Sequence, residues 1–366
     1  MGERWWRVPG IGHVDLNPTR ANFMPKLGSM SESVFYLFGL DPKTGKVRGP
    51  DGTGFFIARQ ANTRNSYVHI YAVTNRHLAA DGASIIRVNT AGEKKSRLVK
   101  FEPIDWHYPD DGDDLAAIDV TDYIDPGVDN VIALYEDVFI TPEIIKEFQI
   151  DQGDDTFMCG LFASHDGGLR NVPVQRFGNI SLMPTADAPV RLQNTGAKLP
   201  CYLVDTRSRS GFSGSPVFSF RTRQSDINGL PYGWDRGAKA NLNPIIPRND
   251  FYWGLLGIHC GQFWDPVEVR KEPSESNAST IQDGDTIFIQ SGMTIVIPAW
   301  RISHLLDSEE FELARKKREK EWEPEDRKMA KPESISHDSS TDANPNHRED
   351  FMRLAGAAAR KQKQDE

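Results

Sequence analysis

The chain has 366 residues, of which 38% are hydrophobic and 26% charged, and its formal net charge at pH 7 is -9. This composition suffices for one large domain or two smaller ones, with polar chain to spare. The acidic balance, without a basic stripe, argues against a nucleic-acid-binding protein.

Cysteine content and hydropathy narrow the class further. The three cysteines, Cys159, Cys201 and Cys260, are odd in number and none lies in a C-x-x-C spacing, so we expect no disulfide framework, no metal and no cofactor. The first residues lack the apolar core of a signal peptide, and no run of 18 apolar residues occurs anywhere. We therefore expect a cytoplasmic protein that does not contact membranes.

Short apolar runs, rich in Val, Ile, Phe and Tyr and bounded by turn residues, follow one another along most of the chain. The first half contains SVFYLFGL, GTGFFIAR, YVHIYAV, ASIIRVNT, RLVKFEPIDW and LAAIDV, and the second contains TFMCGLFA, VQRFGNISLM, LPCYLVDT, SPVFSF, FYWGLLGIHCG and MTIVIPAW. About six strands in each half, without alternating helices, predict an all-β fold of two six-stranded antiparallel barrels.

Four segments fall outside this pattern. Residues 140–149 predict a helix between the halves, with Thr141 as cap and Pro142 at the first helical position. Two polar insertions, 221–250 and 262–291, are long enough to be functional or mobile loops. Beyond Leu306 the chain is densely charged and helical up to Pro324, and the remainder resembles disordered sequence.

The expected organisation therefore has four parts. They are an N-terminal arm (1–32), a first β-barrel (33–140), a second β-barrel (141–307) and a charged, partly disordered helical tail (308–366).

Residues 209–218, RSGFSGSPVF, place Ser213 between glycines. One explanation is a tight turn before a strand, which needs residues that tolerate positive φ. The other is a nucleophile whose attack on a carbonyl needs backbone N–H groups nearby, here those of Gly211 and Ser213 as an oxyanion hole. The second explanation requires a histidine and an aspartate elsewhere in the chain.

Both partners are present. His77 follows an apolar strand in VTNRHLAA, and Asp114 opens the apolar run in DDGDDLAAIDV. In such a triad Ser213 attacks the carbonyl carbon, His77 takes up the proton, and Asp114 orients and stabilises the imidazole.

The acidic residues 110–114 lack the spacing of an EF-hand, so we expect an exposed loop there and not a Ca²⁺ site.

These motifs resemble those of trypsin-like serine proteases of the chymotrypsin superfamily, which share the chain order His, Asp, Ser. GTGFFIAR, VTNRHL, DLAAIDV and GFSGSPVF are similar to motifs of the Deg-type proteases and glutamyl endopeptidases. LLGIHCG is similar to a glutamyl endopeptidase segment, and TIVIPAWRISHLL to the closing strand and helix of the Deg-type domain. The resemblance covers about residues 33–306.

The resemblance implies a serine endopeptidase acting on a protein or peptide substrate. It also implies a specificity pocket with Arg207 and Ser208 on its floor and His259 in its wall, a set suited to a substrate carboxylate. Phe212 departs from the Asp or Asn usual in the family, so we infer no trypsin-like activation by a new N-terminus.

Two alternatives stay open. Arg207 can point into solvent while His259 packs in a wall, and then no acidic preference follows. The whole chain can also be a latent or inactive protease-fold module that acts as a partner-binding scaffold, with a regulatory partner recruited through the C-terminal tail.

Overall fold

A computed structural model describes most of the chain up to Met329. The described residues are 30–62, 67–92, 95–125, 127–206, 208, 211–221, 252–268 and 285–329, the last seven by their backbone alone. The described residues up to Glu319 belong to one compact unit, and the chain from Lys320 onward forms a second unit. Arg207 and most of the insertion at 221–250 lie outside the described residues.

The first half of the chain forms a seven-stranded sheet. Its strands are β1 (Val34–Leu40), β2 (Val47–Gln60), β3 (Val68–Thr74), β4 (Ala83–Asn89), β5 (Ser96–Lys100), β6 (Ala116–Asp119) and β7 (Leu134–Tyr135). The order is β5-β4-β1-β2-β3-β6, all antiparallel, and β7 pairs with β2 in parallel.

The prediction of two barrels is only partly right. In the first half, the pairings found among the described residues leave the sheet open between β5 and β6. Among the described residues, the four-residue β6 pairs with β3 as a strand, and its one further pairing is the bridge between His107 and Ala117. A strand this short offers few hydrogen-bonding groups for closing a sheet.

The second half does form a closed six-stranded barrel, in the order β12-β15-β14-β13-β8-β9. The strands of this half are β8 (Asp155–Gly160), β9 (Val174–Leu182), β10 (Val190–Arg191), β11 (Lys198–Leu199), β12 (Tyr202–Asp205), β13 (Pro216–Arg221), β14 (Tyr252–Glu268) and β15 (Thr286–Pro298). The short strands β10 and β11 make a separate hairpin.

The insertion predicted at 262–291 is partly wrong. Strands β14 and β15 stay paired beyond the barrel, from the pair Trp264 and Gln290 to the pair Glu268 and Thr286. The ribbon exposes large apolar side chains on both faces, including Phe288 at 65%. Residues 269–284 lie outside the part of the chain that the structure describes.

Four α-helices accompany the strands in the described residues. They are α1 (Arg76–Ala80), α2 (Pro142–Phe148), α3 (Ala299–Leu306) and α4 (Glu309–Met329). The helix predicted at 140–149 is confirmed, because Thr141 accepts a hydrogen bond from Ile144 N–H at 3.4 Å and Pro142 opens the helix. Helix α4 runs past Pro324, where we predicted its end, since good helix formers on both sides outweigh one lost backbone hydrogen bond.

The start of α4 is more deeply buried than its charge suggests. Phe311 is 2% exposed, and its ring meets Tyr71 edge-on at 5.1 Å. Further along, the Oε1 of Glu319 lies 3.0 Å from Nε2 of the buried His69 on β3. The first half of this helix is therefore part of the folded unit.

No helix in the described part of the chain is long and apolar enough to cross a membrane.

Candidate active site

His77 and Asp114 leave neighbouring strands at the same edge of the first sheet. His77 lies in α1, just after β3, and Asp114 lies just before β6, and the two strands pair antiparallel at Thr74 and Ala116. The Nδ1 of His77 is 2.7 Å from Oδ2 of Asp114, and the His77 backbone N–H donates to Oδ1 at 2.9 Å. The side-chain amide of Asn75 donates to the Asp114 carbonyl at 2.9 Å.

This pair has a defined chemical capacity. Asp114 is fully buried, whereas the His77 side chain keeps 22% of its surface exposed. Because the carboxylate accepts the Nδ1 proton, the neutral imidazole carries its free lone pair on Nε2. An imidazole in this tautomer can take a proton from a hydroxyl presented at Nε2.

The acidic loop before Asp114 is held by α3. Nε of Arg301 donates to Oδ2 of Asp113 at 2.5 Å, and the same guanidinium contacts Asp111. Asp113 is 1% exposed, and this burial raises its pKa despite the guanidinium. The loop is thus fastened at Asp111 and Asp113, and the described residues contain no cluster of His, Cys, Asp and Glu fit for a metal ion.

Ser213 sits in a turn that two glycines make possible. Gly211 has φ +98° and Gly214 has φ +82°, which L-residues with a side chain rarely adopt. The N–H of Gly214 donates to the His259 carbonyl at 3.0 Å, and that of Ser215 donates to the Phe212 carbonyl at 3.0 Å. These glycines therefore form a tight turn before a strand, as the first explanation predicts.

The N–H groups of Gly211 and Ser213 differ from those that follow them. Neither donates a hydrogen bond within the described part of the structure, although Gly211 is buried. A buried, unpaired N–H is costly unless it serves a ligand, and such groups are those an oxyanion hole offers.

Thr53 on β2, which the sequence analysis missed, joins the Ser213 turn to the first sheet. Its backbone N–H donates to the Ser213 carbonyl at 2.9 Å, and its hydroxyl donates to the Gly211 carbonyl at 2.7 Å. The same Oγ1 accepts from Leu161 N–H at 2.9 Å. One fully buried threonine thus joins β2 to two other segments, the Ser213 turn and Leu161, and its only local signal was a position between glycines in GTGFF.

The Ser213 main chain lies close to the helix that carries His77. A Cβ built on Gly52 would be 3.2 Å from the Ser213 carbonyl oxygen and 2.4 Å from Cδ1 of Leu78. Among the residues described, however, the Ser213 hydroxyl makes no hydrogen bond, to His77 or to any other group. In unliganded sites a nucleophile–base hydrogen bond is often long and tightens only with substrate.

Phe212 anchors the Ser213 turn by apolar packing. Its side chain is fully buried, in a cluster with Ile180, Val204 and Val217. The guanidinium of Arg176 lies 5.7 Å from the ring centroid. A side chain held this way needs no ionic partner to keep its place.

Ser208 and His259 meet beside the Ser213 turn. Ser208 Oγ is 2.7 Å from Nε2 of His259, and both residues are buried. Burial lowers the pKa of His259 to about 4, so the imidazole is neutral near pH 7. Its Nδ1 has no hydrogen-bond partner in the described structure. Arg207, the third residue predicted for this pocket, lies outside the described residues.

Comparison with known proteins gives a partial likeness. No protein-family model matches the chain, and no curated protein does. Two similar solved structures are crystal structures of the Rv3671c protease in an inactive form, one of them a serine-to-alanine mutant from M. tuberculosis H37Rv. They are 15% and 14% identical to this chain, respectively. The matched region covers 76% of this chain in both comparisons and 89% and 88% of the two solved chains, and both TM-scores are 0.37.

Proposed function

We propose that this protein is a serine endopeptidase that uses His77, Asp114 and Ser213. The observation that carries the proposal is the buried carboxylate of Asp114 at 2.7 Å from His77 Nδ1, beside a turn that presents Ser213. The N–H groups of Gly211 and Ser213, which donate no hydrogen bond among the described residues, supply the second requirement, a place for an oxyanion.

In the proposed reaction, Ser213 Oγ attacks the carbonyl carbon of a peptide bond while its proton passes to Nε2 of His77. The N–H groups of Gly211 and Ser213 donate hydrogen bonds to the negative oxygen that forms. The carbon–nitrogen bond then breaks, His77 returns the proton to the departing amine, and an acyl-enzyme remains. Water, deprotonated by His77, attacks this ester and releases the acid and Ser213.

Labelling with a fluorophosphonate probe tests the proposal directly. We expect the wild-type chain to be labelled, and Ser213→Ala and His77→Ala to lose the label. Ser215→Ala is the matched control, since it removes the nearest other hydroxyl in the same loop and should keep the label. Absence of labelling and of casein cleavage in the wild type, under every condition tried, contradicts the proposal.

We further propose a preference for an acidic residue before the cleaved bond. Ser208 and His259 form a buried polar pair next to Ser213, and a neutral imidazole with a hydroxyl can donate hydrogen bonds to a carboxylate. A peptide library with Glu, Gln, Leu and Lys at this position tests it. We expect Glu to be cleaved best and Ser208→Ala to reduce the Glu-over-Leu ratio about tenfold. A preference for Lys or Leu overturns this part alone.

The second candidate is a protease-fold module that is inactive or latent. It is favoured by the lack of a hydrogen bond on the Ser213 hydroxyl within the described residues. If pure protein becomes labelled only after a partner is added, the enzyme is a latent one. If Ser213→Ala leaves every measured activity of the chain in cells unchanged, the scaffold function is the better account.

A further inference from the structure

Asn194 reaches the His77–Asp114 pair from the second half of the chain. It lies in the turn between β10 and β11, which closes with a hydrogen bond from Leu192 N–H to the Ala197 carbonyl at 2.8 Å. The Nδ2 of Asn194 is 3.0 Å from Oδ2 of Asp114, 3.2 Å from the Cys260 carbonyl oxygen and 2.9 Å from Nδ1 of His77.

The partners fix which way this amide faces. An NH₂ group has two protons to donate, and two oxygens, those of Asp114 and Cys260, lie within reach of it. In the opposite orientation the amide oxygen would face the oxygens of Asp114 and Cys260, and no hydrogen bond could form between these acceptors. The short approach to His77 Nδ1 follows, because two nitrogens then donate to the same carboxylate oxygen.

The result is a carboxylate that accepts from three donors. Oδ1 of Asp114 accepts the backbone N–H of His77, and Oδ2 accepts both the His77 Nδ1 proton and the Asn194 amide. The second amide proton is donated in a hydrogen bond to the backbone carbonyl of Cys260, which follows the candidate pocket residue His259 on β14. Asn194 therefore joins the base and its carboxylate to the strand that carries the candidate specificity pocket.

We propose that Asn194 is a positioning residue for the proposed endopeptidase, an inference that rests on that function. It holds the Asp114 carboxylate in the plane that suits the His77 Nδ1 proton, and it fastens the pair to β14 while substrate occupies the neighbouring site. Asn194 itself is exposed, so its removal takes little from the folded core.

Kinetics of three variants test the proposal. Loss of one hydrogen bond to a charged group should lower kcat roughly 10- to 100-fold in Asn194→Ala, with KM changed about twofold at most. Asn194→Asp keeps the shape but has no proton to donate, so it should lose at least as much. Gln193→Ala, the exposed neighbour in the same turn, is the matched control and should keep the wild-type kcat.

A measurement independent of activity separates this inference from the proposed function. The Nδ1 proton of His77 can be observed by NMR in the full chain and assigned by its loss in His77→Gln. We expect its resonance to move in Asn194→Ala and to stay in Gln193→Ala. If the His77 resonance moves in Asn194→Ala but the wild-type chain cleaves no peptide, the contact between Asn194 and the His77–Asp114 pair is supported and the proposed endopeptidase function is rejected. An unchanged resonance with kcat equal to that of Gln193→Ala overturns the inference.

Discussion

The guanidinium Nε of Arg301 lies 2.5 Å from Oδ2 of Asp113, the residue immediately before Asp114. Arg301 belongs to α3, which follows the last strand of the barrel, whereas Asp113 precedes β6 of the first sheet. The position of the candidate catalytic carboxylate thus depends on an ion pair formed between the two halves of the chain.

Arg301→Ala should destabilise the fold and weaken the site together. It leaves the Asp113 carboxylate buried without its cation, which should cost about 2 kcal/mol, a figure reduced because the arginine side chain is partly exposed. The resulting shift of Asp114 should lower kcat about tenfold. Urea unfolding and peptide hydrolysis measure the two effects.

A second substitution checks the cause. Asp113→Asn in the Arg301→Ala background removes the uncompensated charge, and it should recover part of the lost unfolding free energy. Arg191→Ala, at an exposed arginine, should change neither quantity. Equal destabilisation by Arg191→Ala and Arg301→Ala would show that the ion pair contributes nothing.

Gly214→Ala should abolish activity, because its Cβ has no room. The added atom would lie 1.9 Å from the Thr53 carbonyl oxygen and 2.6 Å from Oγ1 of Thr74, at a φ of +82°. The Ser213 turn must then move away from β2. We expect fluorophosphonate labelling to slow by about 100-fold or more.

Gly82→Ala provides the matched control for backbone strain. Gly82 has φ +88° and nothing within 4 Å of its built Cβ, so substitution there adds strain without a clash. It should cost about 1 kcal/mol of unfolding free energy and leave the labelling rate unchanged. If both variants label equally slowly, the contact with β2 does not hold the Ser213 turn.

Much of the fold was predictable from the sequence because strands that are buried in the core show a local pattern of apolar residues. Each apolar run bounded by turn residues corresponds to a strand, since half-buried strands alternate between apolar and polar residues and fully buried strands are continuously apolar. The ribbon beyond the barrel was missed for the same reason. Residues 264–268 and 286–290 bury neither face, so their apolar side chains do not follow the pattern of a buried strand, and they were grouped with the polar residues between them.

The site was only half predictable. His77, Asp114 and Ser213 lie beside strand ends and glycines, which are visible locally. Thr53 and Asn194 act through contacts with residues more than 60 positions away, and no local spacing encodes such contacts. Roles of this kind follow only once the strands are placed next to one another.

The buried start of α4 yields a third prediction. Phe311→Ala should lower the unfolding free energy by about 3 kcal/mol, because the ring fills a site between Tyr71 and His107. Leu313→Ala, on the same helix but 58% exposed, should cost less than about 0.5 kcal/mol. Urea unfolding of the full chain compares the two. Similar values for both would mean that α4 does not pack on the first sheet.

Stability should also fall at mildly acidic pH because of His259. Burial lowers its pKa to about 4 in the folded chain, while an unfolded histidine titrates near 6.5. Between these values the unfolded chain binds a proton that the folded chain does not. The stabilisation is therefore complete above about pH 6.5 and is lost as pH falls toward 4, by up to about 3 kcal/mol.

Two histidine variants isolate this contribution from that of the carboxylates. His259→Gln cannot take up the proton, so its unfolding free energy should fall less steeply than that of the wild type between pH 6.5 and pH 4. His165→Gln, at an exposed histidine, should follow the wild-type curve. Urea titrations at four pH values across this range suffice. Parallel curves for the wild type and His259→Gln would contradict the assignment, because the buried imidazole would then have the same proton affinity in both states.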